Sequence, residues 1–101
     1  MTLEVIVDKL VAALQPEQII LFGSQARGTA TMDSDIDLLV IVPYEGNRLE
    51  LSAKGRGALR DFRVSLDVIV YPRSELNKRL EADDSLFLDN VFHDGKVIYE
   101  A

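Results

Sequence analysis

The chain has 101 residues, of which 48% are hydrophobic and 28% are charged, and its formal net charge is −6. This composition predicts a single folded domain over residues 1–101, and the acidic balance argues against direct binding to a nucleic-acid backbone. The sequence contains no cysteine, which excludes disulfides and thiolate metal sites. It has neither the pattern of a signal peptide nor an apolar run long enough for a membrane span, so we expect a cytoplasmic protein.

Apolar periodicity predicts helices and strands that alternate along the chain. The predicted helices cover residues 3–14, 24–29, 47–62, 75–82 and 85–93. The predicted strands cover residues 18–22, 35–42, 64–71 and 96–100, with the last at an edge of the sheet. This alternation indicates an α/β or α+β fold with helices packed on the faces of one sheet.

Glycine and serine positions refine the predicted helices. Gly55 and Gly57 each cost about 1 kcal/mol relative to alanine and so weaken the helix predicted over residues 47–62. Ser74 is expected to cap the next helix, and Gly95 is expected to end the last one.

Three aspartates interrupt otherwise apolar strand patterns. Asp35 and Asp37 begin the strand DIDLLVIV and point to the same face, because side chains alternate along a strand. Asp67 falls inside VSLDVIVY, a run suited to a sheet interior, where an unpaired carboxylate is costly. If the two strands are neighbours, the three carboxylates meet, and such hard oxygen ligands suit Mg²⁺ or Mn²⁺.

A plainer interpretation of the first two aspartates needs no metal. Asp35 and Asp37 alone are equally compatible with solvated side chains at the start of a strand. The serine-aspartate pair before the strand is also compatible with ordinary turn chemistry. The metal-site interpretation therefore depends on Asp67 and on the turn that precedes the two aspartates.

The turn after the first strand is a candidate phosphate site. Gly23 allows the backbone to approach a ligand, and Ser24 begins a predicted helix whose free N–H groups favour anions. Arg27 either contacts a phosphate or pairs with an aspartate, and the sequence favours neither role.

Together these residues resemble the DNA polymerase β-type nucleotidyltransferase superfamily. Its pattern is a Gly-Ser pair, about ten residues, an Asp-x-Asp motif and a third aspartate on a later strand. Here Gly23-Ser24 is followed by ten residues and then by Asp35-Ile36-Asp37, with Asp67 in the third position. The segment GSQARGTATMDSDIDLLV is similar to that of the minimal nucleotidyltransferases (MNT family), and the likeness extends along nearly the whole chain.

The resemblance implies the nucleotidyltransferase fold, a mixed sheet of about four strands with helices packed on it. It also implies nucleotidyl transfer from ATP with two Mg²⁺ ions, or Mn²⁺ in their place. Asp35, Asp37 and Asp67 would hold the metal, with Asp67 on the acceptor side. Gly23 and Ser24 would hold the triphosphate.

The family also suggests a partner. MNT proteins are often paired with HEPN-domain ribonuclease toxins, which they silence as antitoxins by transferring AMP to a tyrosine. A chain of this length leaves no room for a further acceptor-gripping domain, so we expect the acceptor to be recognised by a small surface or by a protein that brings its own. A homo- or hetero-oligomer is compatible with the sequence, which does not decide the oligomeric state. Two alternatives stay open: transfer to a small molecule, and a non-catalytic module that neutralises its partner by binding.

Other notable side chains have simpler interpretations. His93 near a helix end complements the helix dipole. The apolar residues of segment 86–92 are expected in the core, with a covered partner surface as the second interpretation. A basic cluster most simply forms a solvated helix face, with a phosphate or partner contact as the second interpretation. Its members are Lys54, Arg56, Arg60 and Arg63.

Overall fold

A computed structural model describes residues 3–23, 36–61, 66–82 and 86–101. Four helices lie in these residues, which are α1 (Leu3–Leu14), α2 (Arg48–Ala58), α3 (Arg73–Glu81) and α4 (Leu86–Asp94). Four strands accompany them, which are β1 (Gln18–Phe22), β2 (Ile36–Val42), β3 (Leu66–Pro72) and β4 (Lys96–Glu100). The predicted helix over residues 24–29 falls outside the described residues.

The four strands form one mixed sheet in the order β3-β2-β1-β4. β1 pairs antiparallel with β2 and with β4, whereas β2 and β3 run parallel. The sheet therefore has the α+β architecture that the sequence predicts, with β4 at an edge as expected.

Helices cover both faces of this sheet, so its central strands are buried on both sides. In β2, Leu38 and Val40 face a cluster that includes Ile6 and Leu10 of α1. The intervening residues of β2 face the second cluster, which includes Leu76 of α3 together with Leu88 and Val91 of α4. Two-sided burial explains why the sequence of β2 is a continuous apolar run rather than an alternating one.

The two glycines of α2 differ in their surroundings. A Cβ at Gly55 would lie 3.2 Å from Val68 Cγ1 and 3.3 Å from Leu14 Cδ1, whereas a Cβ at Gly57 would meet nothing within 4 Å. Gly55 thus lets α2 approach both α1 and β3 closely. The sequence predicts the same helix cost for both glycines and does not reveal this difference.

The ends of two helices differ from the sequence predictions. α2 starts after Asn47, whose side chain accepts a hydrogen bond from the Glu50 backbone N–H, but it ends at Ala58 rather than Phe62. α3 starts at Arg73, directly after Pro72, with no side-chain cap. The predicted cap at Ser74 is therefore wrong.

Two further positions explain how α1 and α4 end. α1 ends at Leu14, followed by Gln15 with a φ of 48°, and the Tyr44 hydroxyl donates to the Leu14 carbonyl over 2.6 Å. At the end of α4 the predicted glycine is present, but the φ of Gly95 is not positive. Its Cβ would overlap the Val91 carbonyl and lie 2.6 Å from Ile20 Cγ2, so packing against β1 requires glycine there.

None of the helices in the described ranges combines the length and apolar character needed to cross a membrane.

Candidate active site

The candidate site lies at one end of the sheet, where β1 ends and the described parts of β2 and β3 begin. Asp37 of β2 is in register with Phe22 of β1 on one side and with Asp67 of β3 on the other. Residues opposite each other in adjacent strands point to the same face and have backbones about 4.8 Å apart. The structure thus brings Asp37 and Asp67 together, as expected if β2 and β3 are neighbours.

The two aspartates differ in their exposure to solvent. Asp37 is half-buried, whereas Asp67 is exposed. The expectation that Asp67 is buried in the sheet interior is wrong, because it lies at the outer end of β3, before the buried residues Val68 and Val70. An exposed carboxylate keeps its hydration, so the burial argument for a cation at Asp67 fails. A cation is still favoured at this site because two carboxylates lie side by side, and a positive charge between them relieves their repulsion.

Gly23 lies directly against the carboxylate of Asp37. Its φ is +77°, in the left-handed region that glycine adopts without steric cost. A Cβ at this position would overlap Asp37 Oδ2 and lie 3.2 Å from Asp37 Cγ. Position 23 therefore requires glycine both for its backbone angle and to leave space for the carboxylate.

The strands that carry Asp37 and Asp67 pack against the core directly behind the two aspartates. On the same face as Asp37, β2 continues with the fully buried Leu39 and Ile41, and β3 continues from Asp67 to Ile69 and Tyr71. These residues pack in the cluster against α3 and α4. Side chains held by strands over a packed core are positioned more accurately than side chains on loops.

Arginine contacts that the sequence does not reveal join β3 to two helices. Arg48 of α2 donates from Nη1 to the Tyr71 hydroxyl over 2.9 Å, and its guanidinium carbon lies 4.8 Å from the ring centroid. Arg79 of α3 lies 5.8 Å from the same centroid. Arg48 and Tyr71 are 23 residues apart and lie on different elements, so no periodic pattern in the sequence identifies their contact.

The remaining predicted site residues, Ser24, Arg27 and Asp35, lie outside the described residues. Within the described part of the chain, no group of three or more His, Cys, Asp or Glu side chains could hold a metal ion. Asp37 and Asp67 supply two hard carboxylate ligands of the type that Mg²⁺ and Mn²⁺ prefer, and Asp35 is the predicted third.

Other singled-out residues lie away from this pair. His93 is highly exposed and lies 3.0 Å from Asp94 at the end of α4, which fits the interpretation as a helix-end residue. In the predicted basic cluster, Lys54, Arg56 and Arg60 are exposed, and Arg63 is outside the described residues. In the apolar segment 86–92, Leu88 and Val91 belong to the core, whereas Phe92 is 39% exposed.

Comparison with known proteins identifies the family. The model of the nucleotidyltransferase domain family matches residues 3–93. A candidate protein adenylyltransferase of Methanocaldococcus jannaschii is 34% identical over 84 residues, covering 82% of this chain and 78% of that protein.

Solved structures share the fold. A toxin–antitoxin structure with AMP-PNP has a TM-score of 0.60 and 26% identity, covering 97% of this chain and 73% of that one. A structure of a tri-AMPylated HEPN toxin of Shewanella oneidensis in complex with MNT antitoxin has a TM-score of 0.56 and 20% identity. That likeness covers 99% of this chain and 74% of the other. The chain therefore belongs to the nucleotidyltransferase domain family, as its resemblance predicted, and is a nucleotidyltransferase.

Proposed function

We propose that the protein transfers AMP from ATP to a hydroxyl group of a HEPN-domain ribonuclease, most simply a tyrosine, and silences that protein as its antitoxin. The observation that carries the proposal is the register of Asp37 with Asp67, with Gly23 against the Asp37 carboxylate. Two carboxylates side by side at an accessible sheet end suit metal-assisted phosphoryl chemistry.

In this proposal Asp35, Asp37 and Asp67 bind two Mg²⁺ ions, for which Mn²⁺ can substitute. When bound, the ions stabilise charge on the attacking and leaving oxygens of an in-line displacement. Gly23 and Ser24 hold the triphosphate through backbone N–H groups, and Arg27 contacts a phosphate.

The chemical step is a substitution at the α-phosphorus. The acceptor oxygen forms a bond to this phosphorus while the bond to the bridging oxygen breaks, and pyrophosphate leaves. The acceptor proton passes to the Asp67 carboxylate, whose exposure lets it transfer the proton onward to water.

The adenine nucleotide is inferred from relatives. The Methanocaldococcus jannaschii protein is a candidate protein adenylyltransferase, and the toxin–antitoxin structure contains AMP-PNP. The HEPN acceptor is inferred from the Shewanella oneidensis complex, in which the toxin is tri-AMPylated. These likenesses favour a protein acceptor over a small molecule.

Asparagine substitution of the aspartates separates catalysis from neutralisation by binding. We expect the Asp35→Asn/Asp37→Asn double variant, expressed with the HEPN partner, to lose both growth rescue and modification of the partner. Asp61→Asn/Asp89→Asn is the matched control, because both aspartates are exposed and the pair loses the same two charges. If the double variant rescues growth as fully as the wild type, the protein neutralises its partner by docking and the catalytic proposal is wrong.

A further inference from the structure

The two edge strands of the sheet, β3 and β4, differ in whether other groups bond to their outer backbone. At the β3 edge, the Val70 backbone N–H donates to the buried hydroxyl of Ser52 in α2 over 3.0 Å. This backbone N–H is therefore already bonded and is not available to a further strand. β4 pairs with β1 alone, and no other strand of the described residues pairs with its outer edge. An open strand edge is a template for pairing with another chain.

A groove runs beside this open edge, between the first half of α1 and β4. It encloses about 420 Å³ and is lined by Leu3, Val7 and Ile98, together with Glu4 and Asp8. Leu3 at the groove is 37% exposed. A strand added to β4 would therefore gain backbone hydrogen bonds and also bury apolar surface in the groove.

The charge of the groove favours a particular occupant. Both titratable residues of the lining, Glu4 and Asp8, are acidic and exposed, and the chain as a whole carries −6. A second copy pairing antiparallel through β4 would set Lys96 opposite Glu100 at the strand ends, but neither residue lines the groove, so this pairing leaves the charges of Glu4 and Asp8 unmatched. A basic segment would meet opposite charges there instead.

We propose that the α1–β4 groove binds an extended segment of a partner protein that carries apolar residues and lysine or arginine on the same strand face, the face that meets α1. The segment adds a strand to β4, places its apolar side chains against Leu3, Val7 and Ile98, and directs its cations to Glu4 and Asp8. The inference concerns binding alone, so it holds whether or not the partner is the acceptor.

This groove lies near the candidate site without covering it. Lys96, at the start of β4, is in register with Leu21, next to the end of β1 where Phe22 faces Asp37. A strand added to β4 would be three strand spacings, about 14 Å, from β2. A partner held on the groove is thus anchored close to the aspartates while its acceptor group stays free to enter.

A peptide titration followed by NMR tests the proposal directly. The probe is a short capped peptide in which valine, lysine and isoleucine occupy every second position with threonine between them, so that they share one strand face. The control peptide carries glutamate in place of lysine. We expect the basic peptide to shift the amide signals of β4 and of the first half of α1, and the acidic peptide to leave them unchanged. Absence of shifts at millimolar peptide, or shifts confined to other surfaces, would overturn the proposal.

Charge-reversed variants test whether Glu4 and Asp8 are responsible for binding the basic peptide. Glu4→Lys/Asp8→Lys is expected to raise the dissociation constant of the basic peptide about tenfold, because two exposed ion pairs are lost. Glu81→Lys/Asp89→Lys makes the same charge change at exposed positions of α3 and α4 and should leave that constant unchanged. Equal weakening by both variants would show non-specific attraction and refute the assignment.

Sedimentation of the peptide-free protein tests for a second copy as the occupant. The proposal predicts that the β4 edge does not dimerise the protein at NMR concentrations. A dimer whose β4 amides are protected from solvent exchange, and which the basic peptide fails to dissociate, would assign the groove to self-association and overturn the proposed partner.

Discussion

Substitution of Gly23 by alanine should disable the site while leaving the fold intact. The new Cβ would overlap Asp37 Oδ2 and lie 3.2 Å from Asp37 Cγ and 3.5 Å from Asp37 Cβ. All three contacts are to one side chain, so rotation of the Asp37 carboxylate relieves the clash without a backbone shift. The φ of +77° adds a cost of about 1–2 kcal/mol for a residue with a Cβ.

We therefore expect Gly23→Ala to lower the free energy of unfolding by about 1–2 kcal/mol. Nucleotidyl transfer should fall at least about a hundredfold, because even the groups that orient metal ligands are worth ten- to a hundredfold. Chemical denaturation measures the first quantity, and AMP transfer to the co-purified partner measures the second. Gly57→Ala is the control, since the same methyl group there meets nothing within 4 Å. Wild-type transfer by Gly23→Ala would refute the placement of the carboxylate against Gly23.

Three stability predictions follow from the packing of individual residues. Gly57→Ala should raise the free energy of unfolding by up to about 1 kcal/mol. Gly55→Ala should not raise the free energy of unfolding, because its methyl group crowds α1 and β3. Thermal melts of the two variants measure this difference. Gly95→Ala should destabilise the protein by more than about 1 kcal/mol, because its Cβ would overlap a backbone carbonyl that cannot rotate away. A wild-type melting temperature for this variant would contradict the prediction. Burial raises the pKa of Tyr44, so the neutral phenol is favoured in the folded state and stability should fall as pH rises above about 10. Tyr44→Phe should lose about 1 kcal/mol from the missing hydrogen bond and should abolish that part of the alkaline decline, as denaturation at several pH values would show.

The sequence predicted β1, β2 and β3 well because each is a short apolar run that ends at a glycine or a proline. β1 and β4 have the predicted boundaries, and the condition on which the meeting of Asp37 and Asp67 depended, that their strands are neighbours, is met. The parallel direction of that pairing was not predicted. Periodicity and strand alternation are local properties, and both follow directly from which side chains must be buried. The resemblance then supplied the mixed sheet and the family, which the comparisons confirm.

The failures concern properties that depend on the surroundings of a residue. Ser74 has the chemistry of a helix cap, yet its hydroxyl donates to Glu45 while the helix begins one residue earlier. Gly95 was expected for its conformational freedom but is required by contacts with Ile20 and the Val91 carbonyl. Asp67 is exposed because it lies at the end of its strand, and an apolar run alone does not tell which of its residues reaches the end of the sheet.

The most direct test of the central claim is the intact mass of the co-purified HEPN partner after incubation with ATP and Mg²⁺. The wild-type protein is expected to add one or more AMP groups. Asp37→Asn and Asp67→Asn should each slow this addition at least about a hundredfold. Asp61→Asn, an exposed aspartate just after α2, should leave it unchanged. An unmodified partner with the wild-type protein, or full modification by the Asp37→Asn variant, would contradict the account.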